Sequence, residues 1–257
     1  AQAAARMPGW LVIALGALGV VAYQPAFFAG TASNGVAVGT VVALGSAPVL
    51  TGALDWVLRR RFPGVWWLVA TVIATAGVAL LGFASAGGTA GGSAGGHGPG
   101  IAADPLGLLA SLGAGLSYAV YALAGKELIL RGWDSTASMG AVFGWAAVAS
   151  IPILLATDLA WLVTPEGALM ALWLGLITTT LAYVLFGFGL RGLQASTVAT
   201  LTLAEPLTAS ALGLLLLGER LAPLAVVGLL VLAAGIVVLT VASSRTRGKA
   251  GKARLAA

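Results

Sequence analysis

The sequence predicts an all-α bundle of membrane-spanning helices, and three observations predict it. Of 257 residues, 60% are hydrophobic and only 8% are charged, where a soluble domain carries about 25% charged residues. Mean hydropathy is +1.03. Apolar stretches of about 20 residues, long enough to cross a bilayer as helices, follow one another along the chain. The net charge of +5 raises nucleic acid as a partner. The basic residues lie between and after the apolar runs, however, which argues for a lipid bilayer and against nucleic acid. With no cysteine, disulfides and thiolate metal sites are excluded.

Eight spans are expected, at 9–29, 35–57, 64–84, 105–125, 136–157, 167–190, 194–217 and 222–242. The first opens behind Arg6 and ends at Thr31-Ala32-Ser33-Asn34-Gly35, whose residues favour a turn. Read instead as a signal peptide, it lacks a small-residue cleavage site after its apolar core. The second runs into Arg59-Arg60-Arg61, with Asp55 as their partner at the interface. Trp10, Trp56, Trp66 and Trp67 flank the first three spans beside basic residues, as interfacial anchors do. Residues 85–104 contain GGTAGGSAGGHGPG, a flexible linker at the midpoint of the molecule, without the lysine of a phosphate-binding loop. Lys126 and Arg131 follow the fourth span, Glu166 precedes the sixth, and Arg191 follows it. Gly218-Glu219-Arg220 is a short charged turn between the last two spans, and 243–257 form a basic tail.

Charge orients these spans. Taking alternate connections, every basic residue except Arg220 falls on one side. The positive-inside rule puts that side, and the C-terminus, in the cytoplasm of a plasma or inner membrane.

The chain also repeats itself. Pro48 and Gly77 return 158 residues later as Pro206 and Gly235, and Tyr23 and Tyr183 precede their prolines by similar distances. Residues 1–84 then hold three spans of a repeat and 105–242 hold five. The two missing counterparts fall before Ala1, so the expectation is a ten-helix protein lacking its first two helices. Five helices per repeat would place the two repeats in opposite orientation.

The chemistry concentrates around Glu205-Pro206, in the middle of the seventh span. An ionisable side chain at that depth costs about 2.5–3.5 kcal/mol on insertion scales, so it faces protein or water. The proline removes a helical hydrogen bond and leaves a carbonyl in need of a partner. Two readings stay open for Glu205: a substrate-binding or proton-coupling acid, and a protonated acid that fixes packing beside the kink. Thr202, Thr208 and Ala209 share its helical face. Ser46, Pro48 and Thr51 occupy the equivalent place in the first half, where Ala47 stands in for the acid. Tyr23, Gln24, Thr178, Thr179, Thr180 and Tyr183 also lie within spans, where their polar groups need partners. Tyr118 and Tyr121 are read as interfacial belt residues, and Trp145 as ordinary packing.

The run Ala204-Glu205-Pro206-Leu207-Thr208, then Leu217-Gly218-Glu219-Arg220-Leu221, then a glycine-containing closing helix resembles the second EamA-type repeat of the drug/metabolite transporter superfamily. The resemblance implies a secondary transporter of amino acids, related metabolites or amphipathic compounds, working through a central pathway. Its partners would be a small-molecule substrate, the lipid bilayer and coupling protons, and a homodimer is compatible with such a bundle. No cofactor or metal is expected. An intramembrane enzyme fits poorly: His97, the sole histidine, sits in the linker, and Glu205 is the only deep acid. A non-transporting scaffold or truncated protein is the remaining alternative.

Overall fold

The computed structural model describes residues 7–60, 62–87, 104–216 and 221–255. The glycine-rich linker with His97, the turn Gly218-Glu219-Arg220 and Arg61 lie outside them. Among the described residues the chain is helical throughout, and seven helices are long and apolar enough to cross a membrane.

The first two expected spans form one element, α1 (Gly9–Arg59), of 51 residues. Drawn straight it would measure about 76 Å, more than twice the hydrocarbon core of about 30 Å. It folds back instead. Gly35 leaves helical geometry at φ 80° and ψ 155°, a conformation open essentially to glycine alone. A Cβ on Gly39 would lie 2.7 Å from the Thr31 Cα, so the flanks of the turn touch. The termini agree with this reading. Arg131 donates to the Met7 carbonyl at 2.8 Å and Arg59 to Glu127 at 3.3 Å, so both ends of α1 reach the end of α3 (Pro105–Leu130). Asn34, at the turn, exchanges two hydrogen bonds with the Asp104 backbone at the start of α3. α1 is a helical hairpin that crosses twice. The expected spans are therefore present as passes, but not as eight separate helices.

The remaining elements begin and end for local reasons. Asp104 caps α3, its carboxylate accepting from the Leu106 and Gly107 N–H groups. α2 is Val65–Gly87. α4 (Ser135–Leu155) is capped by Asp134, whose carboxyl the Thr136 and Ala137 N–H groups hold below the usual range. α5 (Pro165–Trp173), a π-helical stretch Leu174–Leu181 and α6 (Ala182–Gly192) make one span. α7 (Ala195–Leu201) and α8 (Ala204–Leu216) make another, interrupted between them. α9 (Pro223–Leu255) does not stop at the expected boundary of 242, but carries the helix through the basic tail.

Small residues set the packing, as expected where lipid gives no hydrophobic drive between helices. α3 lies in the crook of the α1 hairpin: Gly16 faces Ala124, Gly19 faces the Ser117 carbonyl, and Gly115 faces the Ala43 carbonyl and Ala47 nitrogen. α2 and α9 cross with a reciprocity that carries the repeat. Gly77 meets Leu232, and Gly235 meets Ala74; Gly228 meets the Gly77 carbonyl, and Gly235 the Ala70 carbonyl. Each contact is its partner's image under the 158-residue offset, as a two-fold axis requires. As the α2 partner advances from 70 to 77, the α9 partner retreats from 235 to 228, so the equivalent helices run antiparallel. These two helices are therefore inverted relative to one another.

Two expectations fail on burial. Trp67 is no interfacial anchor: it is 7% exposed, and its indole N–H donates to the Ser196 carbonyl (3.0 Å) and Thr200 Oγ1 (3.1 Å), tying α2 to α7. An indole N–H finds a partner when buried, and here the neighbouring repeat supplies it. Trp145, expected to pack inside, is 61% exposed on the outer surface of α4.

Candidate functional site

Pro206 produces the break that its chemistry demands. It has no N–H for the carbonyl of Thr202 four residues earlier. The Thr202 carbonyl instead accepts from Glu205 N at 3.0 Å, and Leu203 N turns to the Thr200 carbonyl at 3.2 Å. The helix is interrupted there, between α7 and α8. Pro48, at the equivalent place, leaves α1 helical around it.

All four tyrosines of the chain gather beside this break. Tyr118 and Tyr121 stand three residues apart on α3 and are buried, at 8% and 4% exposure. That corrects their reading as interfacial belt residues. The Tyr118 hydroxyl meets Thr202 Oγ1 at 3.3 Å, and the Tyr121 and Tyr183 hydroxyls meet at 3.3 Å. Phe143 packs on Tyr183 with ring centroids 4.0 Å apart, Phe186 packs edge-on against Tyr118, and Tyr23 stacks with Phe27. Tyr23, Tyr183, Ala47, Ala122 and Ala199 belong to the same cluster. It draws on both repeats.

Glu205 stands at the edge of this cluster. Its side chain is exposed, and among the described residues its carboxylate has no hydrogen-bond or ion-pair partner. It lies within electrostatic reach of Tyr23, Tyr118 and Tyr183. A packing acid would be expected to hold a partner in the bundle; this one is presented to open space.

The other sequence candidates divide. Thr202 is at the centre, donating to the Ala199 carbonyl while meeting Tyr118. Pro48 and Thr51 are buried on the first-half side, with Thr51 donating to the Ala47 carbonyl at 2.7 Å. Ser46 donates to the Ala43 carbonyl and packs against Gly115. Gln24, Thr179 and Thr208 are exposed and outside the tyrosine cluster, with Thr208 bonded to the Ala204 carbonyl of its own helix. Sequence reasoning underrated Tyr118 and Tyr121; their three-residue spacing on an apolar helix was the available signal.

Residues 105–241 match the EamA-like transporter family. The uncharacterized transporter YwfM of Bacillus subtilis (strain 168) is 38% identical over 238 residues, covering 93% of this chain and 76% of that protein. The threonine/homoserine exporter RhtA of Escherichia coli (strain K12) is 32% identical over 130 residues, 49% of this chain and 42% of that protein. A solved crystal structure at 20% identity matches with a TM-score of 0.71, covering 95% of this chain and 80% of that one, and shares the fold. The chain belongs to the EamA-like transporter family.

Proposed function

We propose that this protein is a secondary transporter that binds a small metabolite at the Thr202–Glu205 break and exposes it alternately to the two sides of the membrane. The observation that carries this reading is the Glu205 carboxylate, without a partner among the described residues and set at a broken helix beside three tyrosines. Helix breaks at mid-membrane depth supply free backbone groups and room for ligand. A carboxylate there offers a counter-charge to an ammonium group or a place for a coupling proton, and the hydroxyls of Tyr118, Tyr183 and Thr202 offer hydrogen bonds. RhtA's name supports small amino acids as the first substrates to try. The test is counterflow in proteoliposomes, with labelled threonine and homoserine followed by a panel of amino acids and amphipathic cations. At least one compound should exchange at ten times the rate in empty vesicles. No exchange across the panel would favour the scaffold alternative.

The basic end of the bundle faces the cytoplasm. Reporters fused after Arg60, Lys126, Arg191 and Arg254 should read as cytoplasmic, and reporters at Gly91–Gly98 and beside Glu166 as external. Same-side signals at Arg60 and the linker would overturn the orientation.

A further inference from the structure

The charged residues at the basic end form one connected set. Arg59 Nε donates to Asp55 at 2.5 Å, and Arg59 Nη2 reaches Glu127 at 3.3 Å. The other Glu127 oxygen accepts from Arg131 at 3.0 Å. Asp55 is 6% exposed, and the side chains of Arg59, Glu127 and Arg131 are largely covered. Arg59–Asp55 and Arg131–Glu127 are spaced one turn apart on their own helices. Arg59–Glu127 is different: it joins the first repeat to the second.

Its position along α1 matters. Gly115 of α3 touches the α1 backbone at the Ala43 carbonyl and Ala47 nitrogen, which fixes α1 against α3 there. The next residue, Pro48, leaves the Leu44 carbonyl without its helical donor, a missing hydrogen bond at which a helix can bend. Beyond Pro48 runs a segment of eleven residues to Arg59. Its inner face carries Thr51 and Asp55, one turn apart and in line with Ala47 of the tyrosine cluster. Leu54 and Leu58 pack against the apolar cluster that includes Leu190 and Val198, and Gly52 lies against Trp67. The segment is thus held at one end by backbone contact, jointed beside it, and tied to α3 at the far end by the Arg59–Glu127 ion pair.

Among the described residues no ion pair stands at the opposite end. The residues that the 158-residue offset matches to Asp55 and Arg59 are Gly213 and Leu217, which carry no charge. There, the polar contact between the repeats is neutral, the Asn34–Asp104 backbone pair.

We infer that residues 49–59 form a gate arm at the basic end of the transport path, hinged at Pro48 and latched shut by the Arg59–Glu127 ion pair. Arg59 and Glu127 are positioning residues: they hold the path to Thr51 and the tyrosine cluster closed while the other end is open. This rests on the transporter reading for its purpose, but the latch itself is measurable without a substrate.

The chain has no cysteine, so a single Thr51→Cys variant reports on this path alone. Thr51 is fully buried, and the thiol should react slowly with a small maleimide in the purified, solubilised protein. Adding Glu127→Gln should speed labelling at least tenfold, with the melting temperature of the remainder little changed. Adding Asp55→Asn removes the partner of Arg59 within α1 and a charge that acts on Lys126 of α3, but keeps the Arg59–Glu127 bridge, and should speed labelling less than threefold. Equal acceleration by both changes, or none by Glu127→Gln, would overturn the latch. Should Glu127→Gln fail to fold, the pair Arg59→Cys/Glu127→Cys decides instead. Bridging those thiols with a short reducible cross-linker should stop counterflow, and reduction should restore it. Undiminished counterflow in the cross-linked protein would overturn the gate while leaving the transporter reading standing.

Discussion

Replacing Glu205 with glutamine is expected to cut transport at least tenfold while leaving membrane abundance and thermal stability near those of the parent. Glutamine keeps the size and hydrogen-bonding capacity of the acid but neither holds nor changes charge. A packing acid would tolerate it. Glu205 has no side-chain partner to lose among the described residues, so the folded state has little reason to object. Its influence runs to Tyr23, Tyr118 and Tyr183, which gather beside the break. A tenfold loss corresponds to about 1.4 kcal/mol of transition-state stabilisation, modest for a counter-charge at membrane depth. The measurement is initial counterflow rate beside abundance and melting temperature. Near-normal transport would return Glu205 to a structural role.

Gly77→Ala and Gly235→Ala are each expected to destabilise the protein, and by similar amounts. A Cβ on Gly77 would sit 2.5 Å from the Leu232 nitrogen, and one on Gly235 would sit 2.6 Å from the Ala74 nitrogen. The obstacle is backbone in both cases, so no side chain can swing aside and the helices must separate. Overpacking of this kind costs about 1–3 kcal/mol. The equality of the two losses is the sharper part of the expectation, because it follows from the two-fold relation and not from either contact alone. Gly144→Ala is the control: nothing lies within 4 Å of its Cβ position. There the helix gains about 0.5–1 kcal/mol from losing a glycine. Melting temperatures of the three purified variants check this. A Gly77 variant as stable as the Gly144 variant would contradict the crossing.

What the sequence could show was depth; what it could not show was direction. Hydropathy marks where a helix meets lipid, and a proline at 206 marks where it must break, so the spans and the Thr202–Glu205 interruption were legible. In a membrane, however, the face turned to lipid is as apolar as the face turned to protein, and periodicity no longer says which is which. Tyr118, Tyr121 and Trp67 read alike as aromatic residues near span ends, yet all three are buried, while Trp145, deep within its span, faces outward. The same limit hid the Arg59–Glu127 pair, whose members lie 68 residues apart. The turn of the α1 hairpin was legible at residues 31–35, but its tightness was not. Its turn at Gly35 is tight enough that the chain barely leaves helical geometry, so a boundary expected as a loop is a single residue.

The antiparallel crossing of α2 and α9 also bears on what must stay still. If each repeat adopts in one state the shape its counterpart had in the other, the two states are images of one another under the same rotation. Only points on the rotation axis keep their places in that exchange. The α2–α9 crossing surrounds that axis, its Gly77–Leu232 contact joined to its image, Gly235–Ala74, by the shared offset. Its close backbone approach is then a stationary bearing about which the two mouths trade roles. The glycines that make it are fixed by motion they do not share.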